Sequence, residues 1–328
     1  MTHPKIVMEK VTGFMQSRII MTGAELDLFT QIQRGTDTAE GLAGKNSRDI
    51  RALTRLLDAL TVYGLLAKEN SRYRLTPAGG FLSADHPESV LPMALHMNEL
   101  WENWGRLTDA VMLGKNPDWA LPSLKSEKSR NAFIGAMHVV GRRLSQQIAG
   151  ELDLSPYHKL LDIGGASGTY TIAFLEKNPK MKAVIFDLKS VIPLAETRLK
   201  KAGIANRVEL AGGDFYTDEL PMGCDLALLS AIIHQNNPGQ NLILCQKIHK
   251  ALLPGGTIMI RDHIMDESRT QPSGGAIFAI NMLVATDGGD TYTLREVTET
   301  LEQAGFEDVR QIRRGEHMDC IITARKPV

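Results

Sequence analysis

The chain carries few of the features that mark a metal site, a membrane or an oxidising compartment. Its 328 residues include three cysteines, Cys224, Cys245 and Cys320, too far apart for a C-x-x-C pair. Neither a disulfide framework nor a zinc knuckle is therefore expected. No apolar run approaches the ~20 residues of a membrane span. Near the start, Lys5, Glu9, Lys10 and Arg18 interrupt the apolar residues, a pattern unlike a signal peptide, so the expected compartment is the cytoplasm. Net charge is −1, which argues against a general polyanion-binding surface. His96, His138, His249, His263 and His317 fall at no paired metal-ligand spacing and no dense carboxylate cluster accompanies them, so no metal is expected. Two phosphate signatures are also missing. There is no G-x-x-x-x-G-K-[ST], and the one glycine-rich turn fails the dinucleotide spacing, with Ala166 and Thr169 at its third and sixth positions counted from Gly164.

What is present describes an ordinary soluble protein, 43% hydrophobic and 23% charged, long enough for a full core and two domains. Residues 4–33 read as helical, and Thr38 reads as the cap of a short helix through Leu42. After a turn at Gly44–Ser47, a helix over Ser47–Leu60 sets Leu53, Leu56, Leu57 and Leu60 on one face. Two short strands, Leu66–Glu69 and Tyr73–Leu75, complete a helix–helix–helix–hairpin order, that of a winged helix. Its would-be recognition helix balances Arg48, Arg51 and Arg55 against Asp49 and Asp58. That leaves little net charge for phosphate contacts, so no nucleic-acid partner is expected. Dimerisation is the preferred reading, because the first helix has apolar residues on more than one face, among them Val7, Met8, Val11, Phe14 and Met15.

Residues 89–150 read as a helical linker that contributes to the substrate pocket, with Phe133, Met137, Val140, Leu144 and Ile148 on one stripe. His96, Met97, Trp101 and Met282 are candidates to line that pocket or plain core. From 151 to 328, strands near 159–163, 183–187, 207–211, 225–231, 257–263, 308–313 and 318–324 alternate with helices near 169–177, 190–202, 239–251 and 294–304. Such alternation predicts an α/β domain with a mostly parallel sheet covered on both faces.

The most informative stretch is Leu160-Leu161-Asp162-Ile163-Gly164-Gly165-Ala166-Ser167-Gly168. A buried strand breaks into glycines and resumes as a helix, so the backbone can approach a ligand closely while helical N–H groups face it. Asp187 ends the next apolar run, 19 residues past Gly168, and Asp214 ends the one after. A glycine turn with carboxylates at the tips of the next two strands describes a nucleoside crevice. Asp162 is an unsuitable neighbour for a phosphate and a suitable one for a ligand with an amino group and a positive charge. Those properties point to S-adenosylmethionine.

With these residues in view, the chain resembles the S-adenosylmethionine-dependent O-methyltransferases of the caffeate, hydroxyindole and bacterial polyketide type. The resemblance runs nearly end to end. Leu28-Phe29 through Tyr73-Arg74-Leu75-Thr76 and Gly79 is similar to the family's dimerisation domain, taken as residues 1–88. Asp162–Gly168 is similar to its cofactor loop, Gly213-Asp214-Phe215 to its adenine corner, Leu253-Pro254-Gly255-Gly256 to the turn before its fifth strand, and Glu302–Phe306 to its late helix. The resemblance implies a class I methyltransferase Rossmann-like sheet behind a mostly helical winged-helix domain, and a homodimer. It implies that Asp187 accepts both ribose hydroxyls, that Asp214 accepts the adenine amino group, and that Phe215 stacks on the ring. Gly164, Gly165, Leu188 and Ser230 would belong to the same cofactor site. Met137 is similar to a methionine near cofactor and substrate, and equally reads as core filler.

The resemblance also implies that His234, at the rim of the strand expected over Leu226–Ile233, removes the acceptor's proton while Asp262 orients it. An ordinary imidazole, near ~6.5, that takes a phenol proton of pKa ~10 works against about 5 kcal/mol, against about 12 kcal/mol for an aliphatic alcohol. Phenols and enols are therefore the expected acceptors, on an aromatic or polyketide-like small molecule. S-adenosylhomocysteine would be the second product. The chain departs from the family at four places. Gln235 and Asn236 follow the histidine where the family often has Asp-Trp, Thr291 stands at its second acid, Ala166 replaces the central glycine of the loop, and Lys189 replaces a proline. The loop change is expected to be minor, one added methyl group. Three alternatives stay open: a relative that methylates carbon or nitrogen or uses the cofactor without transfer, a winged-helix regulator, and, given the failed loop spacing, least of all a nicotinamide oxidoreductase.

Overall fold

A computed structural model describes residues 3–44, 48–118 and 126–328. The chain divides into two compact units, residues 1–101 with 122–139, and residues 102–121 with 140–328.

The first unit begins with helix α1 (Pro4–Glu25). Asp27 then takes a left-handed conformation, φ 55°, and α2 (Leu28–Gln33) starts afresh. The single helical stretch expected over 4–33 is therefore two helices. Helix α3 (Ala39–Gly44) is capped as expected by Thr38, whose Oγ1 accepts the Gly41 N–H at 3.1 Å. Helix α4 (Ile50–Val62) begins later than the expected Ser47, because the Asp49 side chain accepts the Ala52 N–H at 2.7 Å and so occupies the cap position. Lys45, Asn46 and Ser47 themselves lie outside the described residues. The hairpin of β1 (Leu66–Glu69) and β2 (Arg72–Leu75) closes on Asn70 and Ser71, both at positive φ, the two-residue turn whose twist matches the strands. Leu28, Phe29, Leu42, Leu57, Leu60, Leu66 and Tyr73 fill the core between these elements. A short helix α5 (Pro77–Gly80) and helix α6 (Leu91–Gly105) follow.

In the second unit, α7 (Leu107–Leu113) and the end of α8 (Glu127–Glu151) precede the sheet. The strands are β3 (Lys159–Ile163), β4 (Lys182–Asp187), β5 (Val208–Gly212), β6 (Cys224–Ser230), β7 (Leu252–Asp262), β10 (Glu307–Arg313) and β11 (Cys320–Arg325), in the spatial order β10-β11-β7-β6-β3-β4-β5. From β7 to β5 all pairings are parallel, and β11 runs antiparallel to both β7 and β10. Strand residues alternate between two cores. Leu161, Ile163, Val184 and Phe186 face α11 (Pro238–Ala251) and α13 (Leu294–Gln303), while Leu160, Ala183 and Ile185 face α9 (Thr169–Lys177), α10 (Ile192–Lys201) and the end of α8. The chain leaves β3 toward β4 and β5, then returns to β6 on its other side. That reversal opens a crevice at the carboxyl ends of β3 and β6, where such sheets bind ligands.

Strand β6 stops at Ser230 rather than Ile233. Ala231 adopts φ 59°, and Ile233–Gln235 form a 3-10 turn. The sequence pattern predicts no helix over 273–285, yet helix α12 (Ser273–Ala285) forms there, with apolar residues on every side. A minor pairing joins β8 (Ile264–Met265) to β9 (Tyr292–Thr293). No described helix is long and apolar enough to cross a membrane.

Along α1, the apolar residues Ile6, Val7, Met8, Val11, Phe14 and Met15 are 45–59% exposed, a grouping of the kind that marks an interaction surface. Val7→Glu with Val11→Glu is expected to reduce the mass measured by light scattering from that of an assembly to that of one chain. A wild-type protein that already scatters as one chain would contradict this.

Candidate active site

The loop after β3 is shaped by its backbone. Gly164 (φ 67°) donates its N–H to the Phe186 carbonyl at 2.8 Å, and a Cβ there would lie 2.6 Å from the Ile232 side chain. Gly168 (φ 74°) donates to the Gly165 carbonyl at 2.8 Å and caps α9. Between them, Ala166 is also left-handed, φ 49°. The substitution is therefore not the minor change expected from one methyl group, because that region disfavours any Cβ by about 1–2 kcal/mol.

Asp187 holds this strained turn. Its Oδ2 accepts the Ala166 N–H and its Oδ1 the Leu188 N–H, each at 2.7 Å. Burial raises the Asp187 carboxyl above its ordinary value, against the pull of those two donors. Asp162 lies under the loop, 2% exposed, and accepts the Thr171 hydroxyl at 2.6 Å. Burial, with the neighbouring Asp187 charge, pushes its carboxyl up to about 6. Gly165 rests directly on this group, since a Cβ there would come 2.8 Å from the Asp162 Cγ.

The tips of β4 and β5 are tied where Gly213 donates to the Asp187 carbonyl at 2.9 Å. Asp214 follows, half-buried, and accepts the Tyr216 N–H at 2.9 Å. The Phe215 ring packs at 4.6 Å on Tyr216, and its edge lies 3.8 Å from the Cβ position of Gly164. Ser230, at the end of β6, accepts the Arg261 Nε–H at 2.7 Å. Asp162, Gly164, Gly165, Gly168, Asp187, Leu188, Asp214, Phe215 and Ser230 thus lie at or just beyond the carboxyl ends of β3, β4, β5 and β6. Met137 is half-buried on α8, within the stretch that belongs to the first unit.

His234 sits in the 3-10 turn, 9% exposed, and its Nδ1 lies 2.9 Å from both oxygens of Asp262, which ends β7 and is 1% exposed. The His263 N–H also bonds Asp262, at 2.8 Å. Burial alone would raise the Asp262 carboxyl, but the His234 imidazole, assisted by the Arg261 guanidinium and the bonds it accepts, holds it below the ordinary value. A carboxylate can only accept, so it fixes the proton on Nδ1 and leaves Nε2 as the basic nitrogen. Phe278 of α12 stands edge-on to the imidazole at 4.9 Å. Thr291 is buried. Among the described residues no group of three or more His, Cys, Asp or Glu converges as a metal would require.

Sequence reasoning missed Phe278, Arg261 and the residues around Asn236. The Tyr216 hydroxyl donates to the Asn236 Oδ1 at 2.5 Å, the Asn236 Nδ2 donates to the Asn241 Oδ1 at 3.0 Å, and the Tyr292 hydroxyl bonds the Asn236 carbonyl. Nothing in a linear pattern links Asn236 to a tyrosine 56 residues away.

The order of the sheet, the loop after β3 and a histidine held by an acid across β6 and β7 are features of an α/β enzyme with its site at the carboxyl ends of the strands. Residues 104–307 match the O-methyltransferase domain family, and residues 8–85 match the O-methyltransferase dimerisation domain. The chain belongs to this family of S-adenosylmethionine-dependent O-methyltransferases. It is 32% identical over 334 residues to the tetracenomycin polyketide synthesis 8-O-methyl transferase of Streptomyces glaucescens, covering 99% of this chain and 97% of that one. It is 28% identical over 335 residues to an N,N-dimethyltransferase of Streptomyces rimosus, covering 98% and 96%. Human N-acetylserotonin methyltransferase, solved with S-adenosylmethionine, superposes with a TM-score of 0.85 at 25% identity, over 99% of this chain and 97% of that one.

Ala166→Gly keeps the N–H bonded to Asp187 and removes the left-handed strain. The unfolding midpoint in urea is expected to rise, equivalent to about 1 kcal/mol, with an unchanged slope. A lowered midpoint would contradict the assignment of strain to this residue.

Proposed function

We propose that this chain transfers the methyl group of S-adenosylmethionine to a hydroxyl of an aromatic or polyketide-like small molecule, with His234 as general base. The observation that carries the proposal is the buried His234–Asp262 pair, set two residues from Ile232, whose side chain packs on Gly164 of the loop. The crevice fits the cofactor. Its glycine turn admits a ligand close to the backbone, Asp187 and Asp214 offer acceptors at the tips of β4 and β5, and Phe215 offers a ring face. In this reading Asp187 takes the ribose hydroxyls and Asp214 the adenine amino group. Asp162 supports the loop from below through Thr171.

Bound S-adenosylmethionine supplies a methyl group on a positively charged sulfur. His234 Nε2 accepts the acceptor's O–H proton as the oxygen takes that methyl, and Asp262 stabilises the imidazolium that forms. Exclusion of water around a nine-tenths-buried imidazole strengthens that interaction. The likeness to the polyketide 8-O-methyl transferase favours an aromatic hydroxyl as the target. The likeness to the N,N-dimethyltransferase favours a second reading, an amine acceptor, and mass analysis of products made with labelled cofactor separates the two. We also infer a homodimer through α1, on its exposed apolar face and the match of residues 8–85 to a dimerisation domain.

His234→Ala is expected to lower kcat for methyl transfer by at least ~100-fold, while the affinity for S-adenosylhomocysteine in calorimetry stays within about twofold. Methyl transfer at the wild-type rate would reject the base.

A further inference from the structure

We propose that Asn236 is a positioning residue that locks the turn bearing His234 to the adenine corner of the cofactor crevice. The proposal rests on the reading of His234 as the base. Asn236 stands where the family often has tryptophan, and it is fully buried. Each polar group of this residue is used. Its Oδ1 accepts the Tyr216 hydroxyl at 2.5 Å, its Nδ2 donates to Asn241 at 3.0 Å, its carbonyl accepts the Tyr292 hydroxyl, and its N–H donates to the Ile233 carbonyl at 3.3 Å. Asn241 in turn donates to the Ile233 carbonyl at 2.9 Å, immediately before His234.

These bonds converge on a segment that regular structure does not hold. Strand β6 has already ended, and the 3-10 turn is three residues long. Gly289 packs closely on it, since a Cβ there would lie 2.3 Å from the His234 carbonyl oxygen. The imidazole is gripped at Nδ1 by Asp262, but its backbone depends on Asn236 and its partners.

Tyr216 makes the arrangement more than a local brace. It follows Phe215 directly, its N–H is held by Asp214, and its ring packs tilted against Phe215 at 4.6 Å. The residue remains 43% exposed while its hydroxyl reaches the buried amide. A nucleoside that settles on Asp214 and Phe215 therefore fixes Tyr216, and through Asn236 fixes the carrier of the base. Displacement of a catalytic group by an ångström can cost ~100-fold in rate, so the effect belongs in kcat rather than in binding.

The test is a double-mutant cycle on the full-length protein, with methyl transfer measured using labelled S-adenosylmethionine and a phenolic acceptor. Rates are normalised to sites titrated with S-adenosylhomocysteine. Tyr216→Phe keeps the ring and removes one hydroxyl, and Asn236→Ala removes the hub. Each is expected to lower kcat ~10- to 100-fold, with acceptor KM and S-adenosylhomocysteine affinity within about twofold. In a His234→Ala background neither should lower the residual rate further, because the group they position is gone. Losses that persist in full in that background, or a Tyr216→Phe enzyme with wild-type kcat, would overturn the proposal, and the second result holds even if Asn236→Ala does not fold. A wild-type rate in His234→Ala alone would instead remove the base reading.

Discussion

A carboxylate that is 1% exposed cannot stay ionised on its own, and the Asp262–His234 bond is what resolves this. Leaving a buried acceptor of this kind without its donor typically costs about 1–3 kcal/mol, and more when the acceptor is charged. The pair therefore constrains everything that brings its members together. Asp262 must end β7, His234 must follow β6, and these strands must be parallel neighbours, as their register from Leu226–Thr257 to Ser230–Arg261 makes them. The left-handed Ala231 supplies the bend that turns the chain from the strand toward the acid.

On the other side of the crevice a second carboxylate meets a comparable demand by a different route. Asp187 is satisfied by backbone N–H groups of the loop it faces and of its own strand end. The loop thus draws its shape from the group proposed to receive the ribose. The N–H of residue 166 is a bond that the buried acid needs, and that bond holds the turn in the left-handed conformation that strains an alanine there. Arg261, 5% exposed, is bonded to Ser230 and lies over the Tyr170 ring at 4.9 Å from its centroid. Its charge lowers the carboxyl pKa of both Asp162 and Asp262.

The elements legible in the sequence were those with a strong local pattern. Buried parallel strands are short apolar runs, so β3, β4 and the body of β6 stood out, as did the glycine turn and the acids at strand tips. The Thr38 cap was equally visible, because its bond closes within three residues. Features that depend on a single backbone angle were not legible. Asp27 divides one helical stretch and Ala231 shortens a strand, yet neither residue type announces a positive φ. Helix α12 lacked the amphipathic period that marks a surface helix, because apolar residues surround it. In the site, His234 and Asp262 could be paired only through the family resemblance, being 28 residues apart. Asn236 was visible only as a departure. Its partners at 216, 241 and 292 come from three separate elements, and no local pattern joins them.

The claim at the centre of this account is that Asp262 sets the proton position and orientation of His234. Its most direct test is the rate of methyl transfer to a phenolic acceptor by Asp262→Asn, at saturating S-adenosylmethionine. An amide can turn its N–H toward Nδ1 and move the imidazole proton to Nε2, which would leave no base facing the acceptor. A fall in kcat of at least ~100-fold, with S-adenosylhomocysteine still bound, is the result the account predicts. An Asp262→Asn enzyme that keeps the wild-type kcat would contradict it.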